Sequence, residues 1–324
     1  MNISRFSKQI SEFTTQKIPY FFLIDFEMKR PVICRLEEAE KNGILYNING
    51  KTNAKEKIQI PKVELSYTPI APKIYTEKIN AVIEELKKGN TFLLNLTFPT
   101  PISCNLSLKE IFYASNAPYK LFFEDEFVVF SPESFIQIKE NQVLTFPMKG
   151  TIDANVQNAE QMLLNNEKEA WEHHTIVDLM RNDLSIISKK VKVERFRYLE
   201  KITTHKGKIL QTSSAISGTL SDDWASDFGQ NLLKLLPAGS ISGAPKKKTL
   251  EIIQSVEGIP RGYYTGVFGL FDGEKLDSAV AIRFIEKQNG QLYFKSGGGI
   301  TAYSNPQKEY QELIQKIYLP IQNG

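Results

Sequence analysis

Two carboxylate pairs carry spacing that could do chemistry. Glu169 and Glu172 stand three apart in Lys168-Glu-Ala-Trp-Glu-His-His, and Glu309 and Glu312 three apart in Lys308-Glu-Tyr-Gln-Glu. Residues three apart share one face of a helix. Two such faces turned toward each other would make an all-oxygen cage suited to Mg²⁺. A solvated charged face is the commoner meaning of this spacing in isolation.

Other residues could answer that acidic face. Lys149 lies in Pro147-Met-Lys-Gly-Thr151. A lysine there is usually solvated, but in a desolvated pocket its pKa would fall and its amine could act as a nucleophile. Glu133, in Ser131-Pro-Glu, is either a turn carboxylate or a buried general acid. Lys295-Ser-Gly-Gly-Gly-Ile300 ends a predicted strand; its amides could form an anion-binding nest, or the run could be a turn or bulge. Gly239-Ser-Ile-Ser-Gly-Ala-Pro-Lys246 leads into a predicted helix, whose N-terminus could hold a carboxylate or be capped by Ser242. The histidines, His173, His174 and His205, lack H-E-x-x-H spacing and are assigned no ligand role. Asp178-Leu-Met-Arg-Asn-Asp183 reads as structural charge at a helix end.

These side chains need a scaffold, and composition bounds it. The 324 residues are 41% hydrophobic and 24% charged, an ordinary globular balance. The net charge of +3 is no nucleic-acid footprint, so an anionic substrate must be held by particular Arg and Lys residues. Cys34 and Cys104 sit in no zinc, redox or glutaminase pattern. The N-terminus has no apolar signal region, and the longest apolar runs are far too short to span a bilayer. A cytoplasmic enzyme without nucleic-acid or membrane partners is the expectation. No G-x-G-x-x-G or phosphate-binding loop motif occurs, which excludes the dinucleotide and P-loop readings.

The pattern predicts strands at Tyr20–Phe26, Pro31–Leu36, Gly43–Ile48 and Lys57–Pro61, then a linker at Pro69–Pro72. A helix follows over Thr76–Lys88, stopping at Gly89-Asn90. Strands return at Phe92–Phe98, Leu121–Ser131, Ser134–Lys139 and Gln142–Pro147, before a long helix or helix pair over Asn155–Arg181. Val191–Tyr198 and Lys208–Leu220 are strand-like, and Asp227–Leu236 and Lys246–Glu257 are helical. Tyr263–Asp272, Ala279–Glu286 and Gln291–Gly297 read as an antiparallel meander, closed by a helix over Lys308–Leu319. Strands in runs with helices between them predict an α+β fold, with large antiparallel sheets packed as a sandwich and helices outside. Residues 1–70 would be a β-rich segment packed on a core of 71–324, together one structural domain.

In this order the motifs resemble the chorismate-utilising enzymes: the large subunits of anthranilate and aminodeoxychorismate synthases, and the isochorismate and salicylate synthases. The matching blocks are Ser131-Pro-Glu133, Pro147–Thr151, Glu172–Leu184, Pro237–Lys246, Arg261–Gly266, Ala281-Ile-Arg283 and Gly297–Ile300, followed by Glu309 and Glu312. The resemblance implies that Glu169, Glu172, Glu309 and Glu312 form a Mg²⁺ site, with Glu172 and Glu312 the stronger candidates for direct ligands. It implies that Tyr264, Arg283, the amides of Gly297, Gly298 and Gly299, Lys316 and Ser242 bind the substrate, chorismate. It makes Glu133 the acid that protonates the departing C4 hydroxyl.

Two positions imply the branch. Lys149 stands where the anthranilate and isochorismate branches usually have a small residue, and lysine is typical of aminodeoxychorismate synthases. Its amine would add to C2 as the C4 hydroxyl leaves, and ammonia would then attack C4. Leu93 stands where isochorismate and salicylate synthases place a water-activating lysine. Gln211 replaces a frequent family histidine, which mildly favours a product that keeps its enolpyruvyl group. No Leu-Leu-Glu-Ser-type segment is found, so no tryptophan regulation is expected. Ammonia would come from a separate glutamine amidotransferase subunit, and a separate aminodeoxychorismate lyase would act downstream. The competing expectations are an anthranilate synthase large subunit and a non-catalytic chorismate-binding or regulatory subunit.

Overall fold

The run Tyr20-Phe-Phe-Leu-Ile24 has no polar alternation, and the strand it forms is buried on both faces. Phe21 and Leu23 enter one apolar cluster, and Tyr20, Phe22 and Ile24 another. The computed structural model describes residues 1–56, 58–204 and 207–321. Among them are two nine-stranded antiparallel sheets.

The first sheet runs Met148–Asp153, Gly207–Thr219, Gln142–Thr145, Ser134–Lys139, Lys275–Val280, Val267–Phe271, Tyr20–Ile24 and Val32–Arg35, with Lys189–Thr204 also paired to Gly207–Thr219. The second runs Gly243–Ala244, Leu93–Cys104, Gln291–Ile300, Phe284–Gln288, Phe127–Ser131, Tyr119–Phe123, Ile44–Ile48 and Lys51–Thr52, with Leu65–Tyr67 beside Leu93–Cys104. Phe21, Tyr46, Phe123, Phe127, Phe268 and Phe284 fill the space between the sheets. Burying each such ring contributes roughly 1.5–3 kcal/mol. Helices bring Phe6, Ile176 and Phe228 to the cluster on the first sheet's other face, and Ile79 and Ile253, on helices packed beside Leu93–Cys104 of the second sheet, join the same cluster. Leu108–Ala114 and the apolar tail Ile317, Leu319 and Ile321 cover the second sheet.

This is the expected α+β sandwich, with several local corrections. An N-terminal helix, Ile3–Thr15, begins the chain, capped by Asn2, whose Oδ1 accepts the Arg5 N–H at 2.9 Å. Its apolar stripe, Ile3, Phe6, Ile10 and Phe13, recurs at helical spacing, and packing on Trp224–Leu235 stabilises it. Of the strand expected at Lys57–Pro61, residue 57 lies outside the described residues and 58–61 form no strand; pairing occurs instead at Leu65–Tyr67. His205 also lies outside the described residues. The long helical region resolves into Ala159–Leu164 and Glu167–Ile187. Residues 20–67 supply strands to both sheets.

The expected strand Ala279–Glu286 is two strands in different sheets. Lys275–Val280 belongs to the first and Phe284–Gln288 to the second. The chain crosses between them at 281–283, where Ala281 exchanges backbone hydrogen bonds with Thr265 and Gly266, both at 2.8 Å. Arg283 turns the corner in the left-handed region, at φ 52°. A non-glycine residue there costs energy and persists only when its surroundings hold it.

Gly229 tests the helix layer. A Cβ there would overlap the Ser7 backbone carbonyl of the packed N-terminal helix. Alanine would gain about 1 kcal/mol of helix propensity, but overpacking a backbone atom costs roughly 1–3 kcal/mol. Gly229→Ala is therefore expected to lower the thermal midpoint. A midpoint equal to or above the parent's, measured by circular dichroism, would contradict this packing.

Candidate active site

The first acidic pair is delivered by Glu167–Ile187. Asn166 caps this helix, its Oδ1 accepting the Glu169 N–H at 3.1 Å. Glu172, Ile176 and Met180 follow at helical spacing and line one cavity. The second pair is delivered by Pro306–Gln315, where Asn305 caps the helix through the N–H groups of Gln307 and Lys308. Ser304 donates to Glu309 Oε1 at 2.8 Å.

The two helices meet across a cleft of two joined chambers. The smaller, about 320 Å³, is lined by Glu133, Lys149, Glu172, Ser242, Tyr264, Arg283, Gly297, Gly298, Gly299, Glu312 and Lys316. The larger, about 650 Å³, shares Lys149, Glu172, Arg283, Gly299, Glu312 and Lys316 and adds Glu169 and Glu309. Every residue singled out from the sequence as a site candidate thus lines this cleft, although the candidates span residues 133 to 316.

Lys149 is aimed by a β-bulge. The register of Met148–Asp153 against Gly207–Thr219 shifts between Lys149 and Thr151, and Gly150 takes φ 78°. Glycine suits the bulge twice: the left-handed backbone favours it, and a Cβ would lie 3.0 Å from Glu169 Oε2. Lys149 Nζ pairs with Glu172 Oε2 at 2.8 Å. The expectation that desolvation would lower its pKa is corrected. Burial does act downward and is the largest single effect, but Glu172, Glu169 and Glu312 together outweigh it and hold the ammonium above its ordinary value.

The glycine run is corrected too. It is not a turn after a strand but the end of the strand Gln291–Ile300, paired with Leu93–Cys104 so that Gly299 faces Asn95 and Gly297 faces Thr97. The glycines keep the cleft open. A Cβ at Gly298 would lie 3.6 Å from Lys316 Nζ and 3.9 Å from both Glu309 Oε2 and Glu312 Oε1. A Cβ at Gly299 would lie 3.3 Å from Leu93 Cδ1 and 3.9 Å from Lys149 Nζ.

The remaining cations face the same space. Lys316 closes the last helix, bonding Glu312 Oε1 at 2.7 Å and the Gly297 carbonyl at 2.8 Å. Burial lowers its pKa against the pull of Glu312. Arg283 lies over the Tyr318 ring at 5.5 Å, and its buried Nε has no hydrogen-bond partner among the described residues. Lys149, Arg283 and Lys316 together suit a substrate with more than one carboxylate. Burial raises the pKa of Glu133, against the lowering effects of Ser240, Arg283 and Lys149.

The four carboxylates offer the oxygen donors that Mg²⁺ accepts. Among the described residues, no three acidic, histidine or cysteine side chains converge as a ready cage. Glu172 and Glu312 each hold a lysine ammonium instead.

Other assignments sort as follows. Ser242 is not a helix cap: its Oγ donates to the Ala238 carbonyl at 2.9 Å, and the helix Lys246–Glu257 begins after Pro245 with no side-chain cap. His173 is a buried core histidine, its Nε2 2.7 Å from Ser214 Oγ, and desolvation lowers its pKa to about 4. Asp183 is structural: it pairs with Lys246 at 3.1 Å and accepts the Gly239 backbone N–H. Gln211 lines both chambers.

Sequence reasoning assigned no role to Asn95, Ser240, Glu257 or Arg261. Asn95 lines the smaller chamber and its buried Oδ1 has no partner among the described residues. Ser240 donates to Glu133 Oε1. Arg261 bonds Glu257 through Nε at 2.9 Å and a terminal nitrogen at 2.7 Å, both side chains nearly fully buried. Arg261 lies beyond Gly258, the left-handed glycine that ends the helix at Glu257, so no helical spacing signals the pair and only the folded chain brings the two together.

Two antiparallel sheets, and a cleft that gathers Lys149, Arg283, Lys316 and four glutamates beside the half-buried Glu133, are the arrangement expected of a chorismate-utilising enzyme. The sequence profile of the chorismate binding enzymes matches residues 8–322, and the chain belongs to that family. It is 54% identical over 323 residues to an uncharacterised PabA-like protein of Pasteurella multocida, covering 99% of this chain and 100% of that one. It is 34% identical over 261 residues to aminodeoxychorismate synthase component 1 of Salmonella typhimurium, covering 75% of this chain and 56% of that one. Among solved structures, a putative 2,3-dihydroxybenzoate-specific isochorismate synthase of Bacillus anthracis superposes with a TM-score of 0.73 at 20% identity, over 98% of this chain and 88% of that one. No helix among the described residues is long and apolar enough to cross a membrane.

Strand alternation makes neighbouring glycines separable. At Gly297 a Cβ would lie 2.5 Å from the Leu96 carbonyl, whereas at Gly298 all contacts are ordinary. Gly297→Ala is expected to lose stability. Gly298→Ala is expected to keep the parent's thermal midpoint while chorismate binding weakens by roughly tenfold or more, since the methyl enters the cleft floor. Equal chorismate affinity of Gly298→Ala and the parent, by calorimetry, would refute this.

Proposed function

We propose that the chain aminates chorismate at C4 with ammonia, giving 4-amino-4-deoxychorismate. The observation that carries this reading is the pair of side chains over Gly299. An amine, Lys149, stands beside the inert Leu93, where a basic residue would be needed to activate water. A nucleophile supplied by the chain, without a base for water, suits amination better than hydroxylation.

In this reading Arg283, Lys316 and Tyr264 hold the substrate's carboxylates and ring. Lys149, having given up its ammonium proton to solvent, adds to C2 as the neutral amine while the C4–O bond breaks, and the protonated Glu133 gives its proton to the departing hydroxyl, which leaves as water. Ammonia then forms the bond to C4 as the C2–N bond to Lys149 breaks. The attacking ammonia releases the proton that restores the acid. The sum is chorismate plus ammonia to the 4-amino product plus water, with the enolpyruvyl group retained. Glu169, Glu172, Glu309 and Glu312 would hold a Mg²⁺ ion, which when bound would neutralise the ring carboxylate and make the C4 hydroxyl a better leaving group. Glu172 and Glu312 would then exchange their lysine partners for the cation. A separate glutamine amidotransferase would supply the ammonia. A separate lyase would convert the product to 4-aminobenzoate, a precursor of folate.

The test is incubation with chorismate, Mg²⁺ and ammonium at alkaline pH, followed by mass spectrometry. The expected product is aminated and keeps its enolpyruvyl group. Lys149→Ala is expected to lower its formation by roughly a hundredfold or more, and chelation of Mg²⁺ should abolish it reversibly. Anthranilate plus pyruvate would move the chain to the anthranilate branch, and absence of turnover would favour a binding subunit.

The acid has its own signature. Burial raises the Glu133 pKa, so the protonated form persists above the usual carboxylate range and is lost as pH rises through the raised value. At a fixed concentration of unprotonated ammonia, kcat should therefore fall on the alkaline side, and Glu133→Gln should abolish turnover. A Glu133→Gln variant with parental kcat would remove Glu133 from the mechanism.

A further inference from the structure

We propose that Ser240 is a positioning residue that orients Glu133, fixing one carboxyl oxygen so that the other presents the proton to the substrate. The proposal rests on the reading of Glu133 as the general acid.

The argument begins with what holds Glu133. Its backbone is fixed by the sheet: its N–H donates to Ser131 Oγ at 3.1 Å, and its carbonyl accepts the Val280 N–H at 3.1 Å. The carboxyl group lies beyond rotatable bonds that those contacts do not restrain. Among the described residues, its hydrogen-bond donor is Ser240, through Oε1. A neutral carboxyl has one O–H, and the oxygen accepting the serine hydroxyl is the one without it. The proton is thereby assigned to Oε2. An acid that must reach a single leaving oxygen gains from such selection, because proton transfer needs hydrogen-bond geometry.

Ser240 can do this because its loop is held on both sides. The preceding Gly239 N–H is bonded by Asp183, itself paired with Lys246 at 3.1 Å. The following Ile241 carbonyl accepts from the buried Arg261 at 2.9 Å, and Ser242 Oγ donates to Ala238 at 2.9 Å. Gly243 pairs with Leu94 in the second sheet. A surface serine would bring no such precision.

The charged groups that act on Glu133 are Arg283 and Lys149, and both favour the carboxylate, as does the Ser240 hydroxyl; burial favours the acid. Removing the hydroxyl therefore raises the pKa of Glu133 and lengthens the pH range over which it stays protonated. A merely structural serine would leave that range unchanged.

The experiment compares Ser240→Ala, Ser240→Thr and Glu133→Gln, assayed with chorismate, Mg²⁺ and a fixed concentration of unprotonated ammonia, each with its thermal midpoint. Ser240→Ala is expected to lower kcat by roughly tenfold or more, with KM for chorismate within about twofold of the parent. The alkaline limb of kcat should move to higher pH, and Ser240→Thr should restore both kcat and the limb. If Glu133→Gln is inactive while Ser240→Ala keeps the parent's kcat and limb, the positioning role is overturned. A Ser240→Ala variant that loses thermal stability and raises KM with an unmoved limb overturns it as well, showing a structural serine. Full activity of Glu133→Gln would instead remove the acid reading itself, which keeps the two failures distinct.

Discussion

The buried pair of Arg261 and Glu257 is the constraint on which the cleft depends. Moving two charges from water into a protein interior costs several kcal/mol per ion unless hydrogen bonds replace the lost solvent. Here they do. The guanidinium donates to both Glu257 oxygens, to the Ile241 carbonyl at 2.9 Å and to the Asn95 carbonyl at 2.5 Å. Glu257 also accepts the N–H and hydroxyl of Thr97, each at 2.9 Å. Lys295 donates to the Arg261 carbonyl at 3.0 Å and pairs with Glu286 at 2.7 Å. A hydrophobic pair of equal volume could fill the space, but it could not hold two backbone carbonyls in place. Ile241 and Asn95 both line the smaller chamber, so the pair sets the distance between a loop and a strand that form its walls.

The cleft's own charges are arranged by the same physics with the opposite outcome. Lys149 and Lys316 sit beside Glu172 and Glu312 in partly open space, where the partners can be exchanged. Behind the cleft, Arg261 and Glu257 are sealed and permanent. The protein thus separates a rigid ionic frame from a working ionic layer. Between them lies the strand Gln291–Ile300, whose Gly298 brings backbone to the cleft floor where a side chain would stand beside Lys316, Glu309 and Glu312.

Much of the fold was legible in local signals. The stop at Gly258 ends the helix Lys246–Glu257 where the sequence places it, and Ser134–Lys139 forms a strand with the bounds its apolar run predicts. The N-terminal helix was legible too, in Ile3, Phe6, Ile10 and Phe13 at helical spacing behind the Asn2 cap, but the mixed charge of the first residues drew the reading away from it. The break at 281–283 was not legible. Ala281 and Ile282 are as apolar as any strand interior, and only the demand of two sheets for different partners turns the chain at Arg283.

By itself the sequence singled out residues that could carry chemistry, namely the two carboxylate pairs, the lysine before a glycine and the glutamate after a proline, and the order of motifs that marks the family. Residue type and near-neighbour spacing suffice for this, because helix faces and bulges are local. The tertiary structure alone decided what those residues touch. It placed Lys149 against Glu172 and so reversed the expected direction of its pKa. It drew the glycine run into a strand, spent Ser242 on a backbone carbonyl and gave Ser240 to Glu133. Coulomb forces and hydrogen bonds act through space at a few ångströms, and partners separated by 23 residues or by 107 become neighbours only after the sheets have formed.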